Sequence, residues 1–250
     1  MNTKMMMNVH IFIQARIGST RLPGKVIKKI SNKTIIELII ERALKIKGIN
    51  EIFVVTGPQE KNLPLIHELE KLNVKYFCGN EDNVLDRFYN ASNLLKSDII
   101  IRITADSPLI DADIISKALE KFSQNKFDIL SVNRIKTFPH GLNFEIFSKT
   151  ALEKSWNEVK KQFLSKEQFD RTFIPPTKFM LENTQFKNYD LINDKNLENI
   201  RITLDYPEDF ELIEKIYDSL YINGKYFGLD EIREFLAKNQ ELLKINKKYV

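Results

Sequence analysis

Apolar positions in the first half of the chain switch repeatedly between two periods. VHIFIQA (9–15), EIFVVT (51–56), VKYFC (74–78), DIIIRIT (98–104) and FDILSV (127–132) are short β-branched or aromatic runs and read as strands. Between them, TIIELIIERALKI (34–46), LPLIHELEKL (63–72), EDNVLDRFYNASNLL (81–95) and DADIISKALEKF (111–122) repeat apolar residues at three- and four-residue spacing and read as amphipathic helices. Their ends carry matching chemistry. Thr34 with Glu37 forms a capping box, Pro64 sits in a first turn, and Asp111 caps a helix start. Strands alternating with helices over short links predict an α/β fold, a mostly parallel sheet flanked by helices. DIIIRIT is nearly continuously apolar, as a central strand buried on both faces should be.

After Asn133 the rhythm changes. Residues 134–163 read as a loop, a strand over 142–147 and a helix from about Thr150. Residues 165–195 hold aromatics and prolines in no clear period. NIRITLDYPEDFELIEKIYDSL (199–220) restores order, with a strand over 200–204, then Asp205, then a helix with Pro207 in its first turn. LDEIREFLAKN (229–239) is a last helix. The chain reads as one domain over 1–250, with 134–199 as a small lobe within it.

In open α/β sheets ligands gather at the C-terminal ends of the strands. The loop after the first strand, QARIGSTRLPGKV (14–26), carries Arg16, Arg21 and Lys25 among two hydroxyls, two glycines and a proline. Gly18 and Gly24 are separated by five residues and Val26 follows Lys25, so the P-loop spacing fails. The dinucleotide G-x-G-x-x-G is absent too. Glycines and guanidinium forks suit a polyphosphate, but by composition alone the loop could equally be a solvated basic turn.

Composition narrows the partners. The 250 residues include 38 basic and 34 acidic side chains, a net charge of +4 spread along the chain, which is not the basic field of a nucleic-acid binder. Cys78 is the only cysteine, so no internal disulfide can form; it reads as a buried strand residue. No apolar run approaches the ~20 residues that span a bilayer. The N-terminal stretch lacks the apolar core of an export signal, so a cytoplasmic protein is expected.

ARIGSTRLPGKV closely resembles the signature ARxGSTRLPGK of the cytidylyltransferases that make CMP-activated acidic sugars, including the 3-deoxy-manno-octulosonate and acylneuraminate enzymes. It is most like the spore coat polysaccharide biosynthesis group. EDNVLDRFYNAS, IRITADSPLID, GLNFEIFS and TLDYPEDFELI resemble further blocks of that group in the same order, from about Val9 to Asp218.

The resemblance implies a Rossmann-like fold of the nucleotide-diphospho-sugar transferase type. It implies Mg²⁺-dependent transfer of CMP from CTP to an acidic sugar or a phosphate or phosphonate acceptor, with release of pyrophosphate, in surface polysaccharide or glycoconjugate biosynthesis. Carried onto this chain, Ala15, Arg16, Gly18, Ser19, Thr20, Arg21 and Lys25 cradle the nucleotide, joined by Arg87 and Asp106. Asp106 and Asp205 hold Mg²⁺, and Arg16, Lys25, Asp106 and Asp205 carry catalysis. His140, Asn143 and Glu145 meet the acceptor. The lobe over 134–199 binds the acceptor and pairs two copies as a homodimer.

This chain departs from the pattern at Ala105, where Gly is usual, and at Ser107, where Cys is common. KEQFDRTFIPP lacks the His of the block usually like REHVTPYI. Arg87 divides evenly between touching nucleotide and bracing the site through a carboxylate. Gln59 and Asn62 are candidate cytosine contacts. Asp111 and Asp113 spell a D-x-D, the metal motif of many glycosyltransferases, but Asp111 stands where a helix cap belongs. A glycosyltransferase using a sugar nucleotide is therefore the alternative activity. A non-catalytic nucleotide binder is the other alternative, opposed by the presence of Arg16, Lys25, Asp106 and Asp205.

Overall fold

The computed structural model describes residues 7–249. The expectation of a cytoplasmic protein rests partly on residues 1–6, which lie outside that range. In chain order the elements begin with β1 (Val9–Gln14), β2 (Lys29–Ile30), β3 (Lys33–Thr34), α1 (Ile35–Ala43), β4 (Glu51–Thr56), α2 (Leu63–Lys71), β5 (Lys75–Cys78), α3 (Val84–Leu94), β6 (Ile99–Thr104) and α4 (Ala112–Gln124). They continue with β7 (Ile129–Ser131), β8 (Phe144–Ser148), α5 (Lys149–Lys160), α6 (Lys166–Arg171), α7 (Lys178–Glu182), β9 (Asn188–Asp190), α8 (Pro207–Leu220) and α9 (Leu229–Lys238).

Seven strands form one sheet in the order β5-β4-β1-β6-β8-β7-β9, and β2 and β3 form a separate small hairpin. The run β5-β4-β1-β6 is parallel, as the alternating pattern predicts. β8 enters antiparallel between β6 and β7, so the sheet is mixed on that side, and β9 adds parallel to β7. β6, the apolar DIIIRIT, is the middle strand of the seven. Period-two alternation sorts the core. Ile11 and Ile13 pack with α1, α2, α4, α8 and α9 on one face, whereas Phe12, Phe53 and Ile100 pack with α3 and α5 on the other.

Local signals hold at most helix starts. Asp111 accepts the Ile114 N–H at 2.9 Å, and Pro64 lies in the first turn of α2. Thr34 accepts the Glu37 N–H, but the Glu37 carboxylate turns to Lys33 at 3.2 Å, so only half of the predicted capping box forms. The predicted strand over 200–204 is not a ladder strand. It is a buried extended segment with a single bridge, His140 to Arg201. Its N–H groups go instead to two loops, Ile202 to the His140 carbonyl at 2.7 Å and Leu204 to the Asp106 carbonyl at 2.7 Å. Cys78 lies on β5 as expected but is only half-buried, because β5 is an edge strand. No helix among the described residues is long and apolar enough to cross a membrane.

Candidate active site

β1 and β6 lie side by side, and the chain leaves their C-terminal ends in two loops that face one another. The first loop is the ARIGSTRLPGK segment. Val26 is buried and anchors it, and Ile17 N–H is held by the Asn62 side chain at 3.0 Å. Gly24 has φ +65°, the left-handed region, and turns the chain into a short helical turn at Lys25–Ile27. That turn aims Lys25 across the cleft. Its Nζ donates to the Leu204 carbonyl at 2.6 Å and to Asp205 Oδ1 at 3.0 Å. Arg21 pairs with the same Asp205 oxygen at 2.8 Å and lies 5.1 Å above the Tyr206 ring. Arg16 pairs with Glu81 at 3.1 Å. Gly18 has open space around it.

The facing loop, Thr104 to Asp106, follows β6. Thr104 and Ser107 hydroxyls both donate to Asp106 Oδ1, and Oδ2 has no hydrogen-bond partner among the described residues. The Asp106 carbonyl accepts from Leu204 N–H at 2.7 Å and from the Thr203 hydroxyl at 3.1 Å. This backbone seam brings Asp106 and Asp205 to one cavity of about 270 Å³.

Arg16, Arg21, Lys25, Arg87 and Arg102 line that cavity, five cations against two carboxylates. Ala15, Gly18, Ser19 and Thr20 line it too, so the residues expected at the phosphates share one space with Arg87 and Asp106, whereas the candidate cytosine contacts Gln59 and Asn62 do not line it. Arg102 was not singled out from the sequence. It sits mid-strand on β6, held by Gln14 at 2.9 Å and by Glu145 at 2.7 Å.

Arg87 is almost fully buried on α3, and its Nε and Nη1 have no hydrogen-bond partner. Burial, reinforced by Arg16 and Arg102 and partly offset by Glu81, pulls its pKa down to about 10. An unpartnered buried cation is costly, and a polar or anionic ligand in the cavity would relieve it. The two readings of Arg87 therefore separate: it braces no carboxylate by a hydrogen bond among the described residues, and it faces the cavity.

A second cavity of about 300 Å³ is lined by Lys136, Phe138, His140, Asn143, Glu198 and Arg201, among others. Gly141 shapes it. Its φ is +116°, and a Cβ there would meet the Thr203 nitrogen at 2.3 Å, so the loop can close on the 200–204 segment only with glycine. His140 and Asn143 thus line one cavity, and Glu145, the third residue expected at the acceptor, does not line it. Glu145 is buried on β8, with one oxygen accepting from Arg102 and the other from Asn133 at 2.8 Å. It faces Arg102 in register across the sheet, which spends both its oxygens on bracing.

Other candidates resolve similarly. Asn62 is buried with its amide spent on Ile17 N–H and the Pro58 carbonyl, so it supports the loop and meets no base. Asp111 gives one oxygen to Ile114 N–H and the other to Leu229 N–H at 2.7 Å. Both are thereby committed to capping, and the D-x-D reading fails. Among the described residues no group of three or more His, Cys, Asp or Glu could hold a metal ion by itself.

The cytidylyltransferase family model matches residues 10–243 of this chain. An uncharacterized protein of Methanocaldococcus jannaschii is 36% identical over 240 residues, covering 94% of this chain and 92% of that protein. The spore coat polysaccharide biosynthesis protein SpsF of Bacillus subtilis is 25% identical over 225 residues, covering 85% of this chain and 87% of that protein. The solved structure of a cytidylyltransferase from Leptospira borgpetersenii superposes with TM-score 0.83 at 29% identity, covering 95% of this chain and 97% of that one.

Proposed function

This chain belongs to the cytidylyltransferase family and is a nucleotidyltransferase, and on that premise we propose that it transfers CMP from CTP to an acidic sugar, in surface polysaccharide or glycoconjugate biosynthesis. The observation that carries this reading is the cation-rich cavity at the ends of β1 and β6, in which Lys25 and Arg21 already grip Asp205 opposite Asp106.

Triphosphate enters among Arg16, Arg21 and Lys25, which neutralise charge gathering on the departing pyrophosphate. Ala15, Gly18, Ser19 and Thr20 shape the floor, and the unpartnered Arg87 and neighbouring Arg102 face the nucleotide. The acceptor lies in the second cavity against His140 and Asn143. Its hydroxyl oxygen bonds to the α-phosphorus, the bond from α-phosphorus to the α–β bridging oxygen breaks, and pyrophosphate leaves with that electron pair. The hydroxyl proton is lost to solvent.

Asp106 and Asp205 fit a divalent cation by the chemistry of their donors. Two carboxylates are too few for a closed site, but Mg²⁺ is commonly held by one or two carboxylates with substrate phosphates and waters. Bound there, Mg²⁺ would supply charge neutralisation and alignment of the phosphates. The direct test is pyrophosphate release from each of the four NTPs against a panel of acidic sugars, sugar phosphates and phosphonates, with Mg²⁺ and with EDTA. Release with CTP, an acidic sugar and Mg²⁺ is expected; equal release from all four NTPs, or release unaffected by EDTA, overturns the reading.

Residues 134–199 complete this picture as an acceptor-binding and pairing lobe. Leu164 and Phe173 in it are 99% and 65% exposed, and large exposed apolar side chains suit an interface. A homodimer is expected by light scattering at micromolar concentration, and a monomer there removes the pairing role.

A further inference from the structure

Arg201 and Asp209 connect the two cavities through a network that the reaction outlined above leaves unused. Asp209, on the first turn of α8, is fully buried. It takes both arms of the Arg201 guanidinium, Nε at 2.9 Å and Nη2 at 2.7 Å. It also accepts from Asn246 at 2.8 Å and from the backbone N–H of Asp205 and Tyr206 at 3.0 Å each. The remaining arm of Arg201, Nη1, lies 2.9 Å from His140 Nδ1. Paired backbone hydrogen bonds fix the spacing, His140 N–H to the Ile200 carbonyl at 2.9 Å and Ile202 N–H to the His140 carbonyl.

The chemistry of that contact is one-sided. A guanidinium in a protein is always protonated and only donates. His140 Nδ1 must therefore accept with its lone pair, and the ring proton resides on Nε2. An imidazolium would set N–H against N–H. The partial burial of the ring and the Arg201 charge both favour the neutral form. Asp205, Asp106 and Asp209 act the other way, and Lys136 and Glu198 face the ring's cavity. His140 Nε2 has no partner among the described residues, and the exposed ring lines the second cavity.

We propose that Arg201 and Asp209 are positioning residues that hold His140 in the Nε2–H tautomer, so that the second cavity presents a fixed neutral donor to an oxygen of the acceptor. With Asn143 and the Lys136 ammonium at the same cavity, the group that fits is a carboxylate. The inference rests on reading this cavity as the acceptor site, and it deepens that reading by naming the group recognised there.

The tautomer is read without turnover. Three histidines make assignment simple: ¹⁵N-labelled protein is compared with His140→Gln, and the resonance that disappears belongs to His140. A bare Nδ1 and a protonated Nε2 across neutral pH are expected. A protonated Nδ1, or an imidazolium at pH 7, overturns the proposal whatever the enzyme does.

Kinetics with 3-deoxy-manno-octulosonate as probe then test recognition. His140→Asn keeps an oxygen for Arg201 and removes the distal donor. It should raise the acceptor KM about ten- to a hundredfold, the effect of one hydrogen bond to a charged group, with the KM for CTP unchanged. Arg201→Lys keeps a cation for Asp209 but loses the three-point geometry. It should raise the acceptor KM similarly and scramble the tautomer signal. If Arg201→Lys lowers the melting temperature and weakens CTP and acceptor alike while His140 keeps its Nε2 proton, Arg201 is structural only. Absence of wild-type turnover with this sugar would sink the acceptor assignment, while the tautomer measurement would still stand or fall alone.

Discussion

Asp205→Asn is expected to lower turnover by several orders of magnitude and, at the same time, to make the protein bind metal-free pyrophosphate more tightly. The first effect follows from its proposed place at a divalent cation, where charge and alignment are lost together. The second follows from what the carboxylate does without nucleotide. Lys25 and Arg21 both spend their charge on Asp205 Oδ1, and neutralising that oxygen frees them for phosphate. Titration calorimetry with pyrophosphate in EDTA reads it directly, and an unchanged affinity would show that the ion pairs do not compete with phosphate.

Two facing carboxylates, considered alone, would make the neutralised protein as stable or slightly more so. The structure reverses that sign. Asp205 is balanced by two cations within 3.0 Å and a third, Arg201, at 3.8 Å. Asp205→Asn should therefore melt slightly below wild type. Lys25→Ala is the complement. It should lose turnover on the order of 10²-fold, the size of one contact to developing charge, and weaken CTP while leaving CMP nearly untouched.

Asp209→Asn should destabilise the fold by about 3–5 kcal/mol, the cost of breaking a buried ion pair by removing one partner. Asparagine cannot take both arms of Arg201 and the Asp205 and Tyr206 N–H groups, so a buried guanidinium is left short of partners. The acid profile should follow. Burial raises the Asp209 carboxyl, but Arg201, Asn246 and the two backbone donors outweigh it, and its pKa ends below the ordinary value. A carboxyl lowered on folding stabilises fully above its unfolded pKa, near 4, and loses that contribution as pH falls through its lower folded pKa. Wild type should shed stability below about pH 4, and Asp209→Asn should shed less over the same range. Urea unfolding of both proteins from pH 7 to pH 3 checks this, and parallel losses would remove Asp209 as the source.

Charged residues inside apolar runs are a signal that the hydrophobic period does not resolve. Arg102 stands alone in DIIIRIT and Arg201 alone in NIRITLD, and a lone cation in such a run must find a carboxylate or a cavity. Arg102 found Gln14 and Glu145; Arg201 found Asp209 and His140. Glu145 was misplaced for the mirror reason. Its neighbours suggested the acceptor site, but its register opposite Arg102 on β6 decided its use. Residues 165–195 showed no period because their elements are one or two turns or three residues long, too short for a repeat to show.

Hydrophobic period and helix caps are properties of neighbouring residues, and they were enough to determine the α/β architecture and the place of the cationic loop after a central strand, whereas the family was legible only in the resemblance of that loop and four further blocks to a known signature. Which charges meet depends on chain crossings. Lys25 reaches Asp205 over 180 residues, and Asp106 joins Asp205 only because the 200–204 segment gives its N–H groups to loops instead of to a strand. Such pairings carry no local pattern, because the groups become neighbours only when the sheet and its flanking helices have packed. The tertiary structure alone therefore decided that Asp205 is held by cations, that Glu145 braces Arg102, and that one buried carboxylate, Asp209, supports both cavities.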